Sequence, residues 1–246
     1  MNSRQYIFAA SALIAGIASV AARSLPEATT TRFTIVGEAS LIGVGPAGEA
    51  KDASKIVVWL APIDVVQPVR ATTGGAAHYR LVQHNKRFEP GLLVVPVGSV
   101  VDFPNLDPWF HNVFSLYRGK RFDLGLYQAG AQRSVRFDRI GPSYLFCNIH
   151  PEMTGVVLAL DSELFGVTDK NGRYSIAGVA PGRYALHVWY ENARPESLQA
   201  LQRQVTIQND NQALPAISVR AAKQAPAQHK NKYGQDYDPD TLKTDY

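Results

Sequence analysis

Three side chains with sulfur or imidazole donors stand in one short stretch, Phe146-Cys147-Asn148-Ile149-His150-Pro151-Glu152-Met153. A thiol, an imidazole and a thioether follow one another there at i, i+3 and i+6. Cys147 is the one cysteine of the 246 residues, and Met153 is the one methionine besides Met1. Soft sulfur suits Cu(I), and imidazole is accepted by Cu(II), so a mixed set serves both oxidation states. Neither state then forces a large rearrangement, and an electron can come and go cheaply. The set that does this takes one thiolate, two imidazoles and a weak, long thioether. The loop offers three of the four. The second imidazole has to come from elsewhere, and Pro108-Trp109-Phe110-His111-Asn112-Val113-Phe114 offers it at the head of a strand-like run.

Each of these residues also has a plain structural reading. A lone Cys at a strand end is commonly a small buried hydrophobe. Met153 alone would be core, and His111 and His150 alone would be ordinary loop histidines. Zinc is the metal alternative, but structural zinc sites lean on several thiolates and rarely on a thioether. His78, His84, His187 and His229 have no ligand-spaced partner and read as surface or structural residues. Six His in all are too few to add a trinuclear copper cluster. No G-x-S-x-G, H-E-x-x-H or phosphate-cradling Gly loop is present, so the chain reads as a protein that is not an enzyme. Gly43-Val44-Gly45 with Gly48 echoes a dinucleotide fingerprint, but outside a βαβ unit it is a turn.

The elements that must position the donors are written as short β-rich runs. Phe33 to Gly37 and Lys55 to Leu60 flank a Gly/Pro turn at Gly43 to Gly48, and residues 61 to 78 read as a connection. From Tyr79 the runs crowd together: Leu81-Val82, Leu92 to Gly98, Val100 to Phe103, Asn112 to Phe114, Ser134 to Phe137, Tyr144 to Phe146 and Val156 to Leu160. Such spacing, broken by Gly, Pro and Asp, predicts an antiparallel sandwich and an all-β fold. A second β unit follows, with Phe165 to Thr168, a hairpin signal at Asn171-Gly172, Arg173 to Ile176 and the alternating Tyr184 to Tyr190. Residues 196 to 204 offer a short helix. Residues 221 to 246 are polar and read as a disordered tail. Trp59 and the inward-facing set of 184 to 190 are expected to share one core.

Residues 1–22 read as a secretory signal peptide, with Arg4, the apolar run Ile7 to Val20 and the small-x-small site Ser19-Val20-Ala21. A membrane anchor needs about 20 apolar residues, and this run has 14. No Cys lies near the cleavage site to carry a lipid. The expected address is therefore the periplasm, without stable membrane insertion. In such an oxidising compartment a single thiol is either buried and inert or bound to something. The formal charge of +4 is mild, and no Lys/Arg cluster interleaves with aromatics, so nucleic acid is not an expected partner.

Phe110-His111-Asn112-Val113-Phe114 resembles the first-ligand motif of plastocyanin-type cupredoxins, the blue-copper proteins. Cys147-Asn148-Ile149-His150-Pro151-Glu152-Met153 has the short ligand-loop spacing of amicyanin, and Phe88 to Phe103 resembles the family's opening strands. The resemblance covers roughly 79–160 and implies a Greek-key copper domain. It implies one type 1 copper ion held by His111, Cys147, His150 and Met153, with Asn112 beside the sulfur tying the two ligand loops together. His150 would be the electron port, in an apolar surface made by Pro108, Trp109, Phe110 and Pro151. Arg118 to Tyr127 departs from the family pattern. The implied function is one-electron transfer between periplasmic redox proteins. A non-redox copper carrier or store, or a β-sandwich interaction module, are the alternatives. Thr168-Asp169-Lys170-Asn171-Gly172-Arg173-Tyr174 and Val179-Ala180-Pro181-Gly182-Arg183-Tyr184 resemble the carboxypeptidase regulatory-like, transthyretin-type β-sandwich, with Ala180 in place of a Pro. That resemblance implies a second, smaller sandwich split into 31–70 and 161–220, carrying the copper domain as an insertion.

Overall fold

The computed structural model describes residues 31–43, 52–64, 76–116, 119–222 and 230–237. The expectations for the leader at 1–22, for most of the Gly/Pro turn, for 65–75, for Arg118, and for 223–229 and 238–246 of the tail lie outside these residues. Within them the chain is nearly all β. The strands are β1 (Phe33–Ile42), β2 (Val57–Pro62), β3 (His78–Arg80), β4 (Val82–His84), β5 (Arg87–Glu89) and β6 (Leu92–Pro96). Then come β7 (Val100–Pro104), β8 (His111–Ser115), β9 (Phe122–Tyr127), β10 (Gln132–Arg136), β11 (Gly141–Phe146) and β12 (Thr154–Leu160). They are followed by β13 (Phe165–Val167), β14 (Arg173–Val179), β15 (Gly182–Trp189), β16 (Arg203–Ile207) and β17 (Ile217–Arg220). One helix, α1 (Pro195–Gln199), precedes β16.

Two pairs of sheets result, besides the two-stranded β4-β5. In the first, β6-β12-β11-β8-β9 lies over β10-β7-β3. Val95, Val101, Phe103, Val113, Leu145, Val157 and their neighbours from both sheets form one core. In the second, β13-β2-β15-β16 and β14-β1-β17 enclose another core, with Ile35, Val58, Leu60, Ile176, Leu186 and Val219. Here β2 runs antiparallel to both β13 and β15, and β1 pairs with β14 and β17. Strands before residue 64 thus pair with strands after residue 164, and β3 to β12 lie between them in sequence.

β12 explains how the two sandwiches meet. Its run Val156-Val157-Leu158-Ala159-Leu160 is buried on both faces, as an unbroken apolar strand must be. Val157 and Ala159 point into the first core. Leu158 and Leu160 point the other way and, with Val94, meet Val57, Trp59, Phe165 and Trp189. Trp59 therefore does not share the core of Tyr184, Leu186 and Val188. Val58 and Leu60 take that face of β2, and Trp59, one residue out of phase, faces the seam and stacks on His187 at 5.0 Å.

The Asn171-Gly172 signal marks a corner rather than a hairpin. Asp169 Oδ1 accepts the N–H groups of Asn171 and Arg173, closing the turn. β13 and β14 then enter different sheets. Gly172 has φ +79°, and a Cβ there would fall 1.9 Å from the Ala39 carbonyl oxygen, so only glycine fits. The expected tail also differs. Ala221 bridges to Ala193, and residues 230–237 are folded against the first sandwich. Polar composition hid this, because the contacts are hydrogen bonds rather than apolar burial. No helix among the described residues is long and apolar enough to cross a membrane.

Candidate metal centre

The loop from Cys147 to Met153 joins β11 to β12, which run antiparallel up to the rung Phe146–Thr154. Two backbone bonds shape it. Cys147 N–H donates to the Met153 carbonyl at 3.2 Å, and Met153 N–H donates to the His150 carbonyl at 3.0 Å. Cys147 and Met153 therefore face each other across the loop mouth, with His150 at its turn. Both sulfur residues are fully buried in the first core. His111 opens β8, whose Phe114 pairs with Phe146 of β11, and this sets its ring beside the loop.

Three of the four named donors converge. Cys147 Sγ lies 3.9 Å from His111 Nδ1 and 3.7 Å from His150 Nδ1, and the two Nδ1 atoms are 3.1 Å apart. Among the described residues this is the one His/Cys/Asp/Glu group able to hold a metal ion. The triangle has the right size for one. Bonds of about 2.0 Å to nitrogen and 2.3 Å to sulfur, the lengths zinc takes with these donors, would subtend roughly 100°, 120° and 130°. Those angles nearly close a plane. With Met153, buried in the same core at the other end of the loop, the residues offer one thiol, two imidazoles and one thioether, a choice of donors that suits copper better than the thiolate-rich sets of structural zinc.

A residue that the sequence reading missed orients His111. Asp107, itself buried, accepts from His111 Nε2 at 2.8 Å. That bond places the ring proton on Nε2 and turns the Nδ1 lone pair toward the thiol. Asp107 is held in turn by the tight turn between β4 and β5. Asn85 and Lys86 both adopt positive φ, +54° and +53°, as a two-residue type I′ loop requires. Their N–H groups donate to Asp107 Oδ1 at 2.6 Å and Oδ2 at 2.9 Å. Burial opposes charge on Asp107, but these N–H groups and the imidazole outweigh it, and its carboxyl titrates below the usual range. Burial pushes His111 down, against the pull of Asp107.

Burial likewise pushes the Cys147 thiol up, while the backbone N–H groups of Asn112, Ile149, His150 and Asn148 favour the thiolate. Asn112 does stand beside the sulfur, but through its backbone. Its side chain does not tie the ligand loops together: Nδ2 donates to Asp123 Oδ1 at 2.8 Å and to the Gly125 carbonyl at 3.0 Å, neither of them in the Cys147 loop. Pairing of Asn112 with Leu126 across β8 and β9 brings Asp123 and Gly125 within its reach.

Of the expected surface residues, Pro108 and Phe110 are exposed beside His111, with Leu106 next to them, and Lys86 Nζ lies 4.7 Å over the Trp109 ring. His150 and Pro151 are half-buried.

No protein-family model matches the chain, and no curated protein matches it. Solved structures resemble parts of it. A purple cupredoxin from Nitrosopumilus maritimus is 26% identical over 34% of this chain and 99% of its own, with a TM-score of 0.31. A Cu(I) amicyanin variant is 20% identical over 37% of this chain and 89% of its own, with a TM-score of 0.33. A copper-containing nitrite reductase from Thermus scotoductus is 18% identical over 50% of this chain and 28% of its own, with a TM-score of 0.33.

Proposed function

We propose that the first sandwich is a cupredoxin-like domain with one type 1 copper site, and that the protein carries single electrons between periplasmic redox proteins rather than catalysing a reaction. The observation that carries this reading is the convergence of Cys147 Sγ and the Nδ1 atoms of His111 and His150 within 3.1–3.9 Å. Copper held there would supply the Cu(II)/Cu(I) couple. Cys147 would give the thiolate, His111 and His150 the two imidazoles, and Met153 the weak thioether that tunes potential.

The protein's own part is to hold these donors still. Asp107 and the turn at Asn85-Lys86 hold His111 in one tautomer, and four N–H groups favour the Cys147 thiolate. The core around Cys147 and Met153 keeps water out. A set held in place before the electron arrives has little left to rearrange when the charge changes. The half-buried His150, whose ring meets that of His111 at 4.8 Å, is read as the port, and the address follows from the leader read at 1–22. The second sandwich is read as a transthyretin-type scaffold or docking module.

Voltammetry of the copper-loaded full chain tests the reading. The expected result is a fast, reversible one-electron wave with copper retained against a chelator. Rapid loss of copper to the chelator, with a sluggish wave, would make the protein a copper carrier instead.

A further inference from the structure

We propose that residues 230–237 form a strap that fixes the Cys147 loop, with Lys232 and Tyr237 as its positioning residues. The proposal deepens the copper reading, although its geometry concerns the protein alone.

The strap is closed on itself first. Asn231 Oδ1 accepts the N–H groups of Tyr233 at 2.9 Å and Gln235 at 3.0 Å. Asn231 N–H donates to the Gln235 carbonyl, and Gly234 N–H to the Asn231 carbonyl, both at 2.9 Å. Gly234, at φ +77°, permits the tight return. A loop ordered by its own hydrogen bonds loses less entropy on docking than a free tail would.

Burial then shows which residues dock. Asn231, Lys232 and Tyr237 are half-buried, whereas 233–236 between them are exposed. Tyr237 Oη donates to the carbonyl of Cys147 at 2.8 Å. Lys232 N–H donates to Asn148 Oδ1 at 3.0 Å, and Lys232 Nζ donates to Asp123 Oδ2 at 2.9 Å. Asp123 also accepts from Asn112 Nδ2 and from Gly125 N–H. A continuous path therefore runs from Asn112, next to His111, through Asp123 and Lys232 to Asn148, next to Cys147. The Asn112 side chain stops at Asp123 and Gly125, and Lys232 spans the rest. The bond to Asp123 is charge-assisted, with Lys232 only 21% exposed, so it is stronger than an open surface pair.

No strap residue belongs to a hydrophobic core cluster. Its loss should therefore loosen the ligand loop without unfolding either sandwich.

The test uses the metal-free full chain, comparing wild type with Tyr237→Phe, Lys232→Met, the double variant and Lys232→Arg. Two rates are read: amide hydrogen exchange over 147–153, and alkylation of the buried Cys147 thiol by iodoacetamide. Each single variant should raise both rates roughly two- to tenfold, the worth of one net hydrogen bond. The double variant should raise them further, Lys232→Arg should restore most of the protection, and exchange in β2 and β15 should not move. Unchanged rates in the double variant would overturn the strap, as would faster exchange spread evenly over both sandwiches. Copper loading of the same proteins separates the two ideas. Unchanged apo rates with a normal thiolate–copper absorption reject the strap and leave the copper reading standing. Raised apo rates in variants of a protein that never develops that absorption reject the copper reading and leave the strap.

Discussion

Replacing Asp107 by Asn asks whether the carboxylate or merely the shape of this side chain serves the site. Asp107 receives three N–H groups: Asn85 on Oδ1, and Lys86 and His111 Nε2 on Oδ2. An amide has one acceptor oxygen. If that oxygen takes the Oδ2 place, its NH2 group faces the Asn85 N–H. If it takes the Oδ1 place, the NH2 group faces both Lys86 and His111. Either way at least one donor near a buried side chain loses its acceptor, at about 1–3 kcal/mol of folding stability. The imidazole also loses the negative charge that fixes its ring and raises its basicity. Removing such an outer partner lowers metal affinity about 10–100-fold, or about 1.4–2.7 kcal/mol. The assays are thermal denaturation of the metal-free protein and copper titration against a competing chelator. If stability falls as expected but affinity stays within about twofold of wild type, well short of that loss, then Asp107 only braces the turn at Asn85-Lys86. Asp107 would then have no part in orienting a metal ligand.

Met153→Leu should keep copper and colour and raise the reduction potential, since a weak thioether tunes rather than holds the ion. The swap conserves volume in a fully buried place, so it should cost less than about 1.5 kcal/mol, and an emptied site would make Met153 a strong ligand. Leu158→Ala, at the seam between the sandwiches, should cost about 2–5 kcal/mol and lower the unfolding midpoint of both, because Leu158 packs against Val57, Trp59 and Trp189. An unchanged midpoint by denaturant titration would show that the seam contributes nothing. Acid should release the ligand loop through Asp123. Burial works against its charge, but Lys232, Gly125 and Asn112 hold its carboxyl below the ordinary 3.8. A depressed carboxyl contributes stability that is present above 3.8 and lost as pH falls below it through the lowered value. Amide exchange at 147–153 should therefore be flat from neutral pH to that point, once corrected for its intrinsic rate. It should rise below that point, and Asp123→Asn should remove the rise.

How much of this was legible in the sequence depends on how local the information is. Short β-rich runs named an all-β chain because alternation is a property of neighbouring residues. Cys147, His150 and Met153 could be named because they lie in one loop. His111 could be named because a strand-head histidine was the missing donor type. Asp107 was passed over although it stands four residues before His111, because its role depends on the β4–β5 turn more than 20 residues away. An Asn at a two-residue turn was the available signal. The direction in which Trp59 points was half legible. Alternation separates Trp59 from Val58 and Leu60, but it does not say that a second sandwich covers the outer face. The docking of Lys232 and Tyr237 was not legible at all. Its partners Asn148 and Cys147 lie 84 and 90 residues away, and a polar segment held by hydrogen bonds has the composition of one that is held by nothing.

Cys147 Sγ is proposed to bind copper together with the Nδ1 atoms of His111 and His150. Optical and electron paramagnetic resonance titration of the full chain with Cu(II) tests it most directly, with Cys147→Ser alongside. The expected result is one equivalent of copper, an intense visible thiolate-to-copper band with a narrow copper hyperfine splitting, and loss of both in Cys147→Ser. A wild-type protein that takes up copper but stays colourless, with the broad splitting of an ordinary nitrogen–oxygen site, would contradict it.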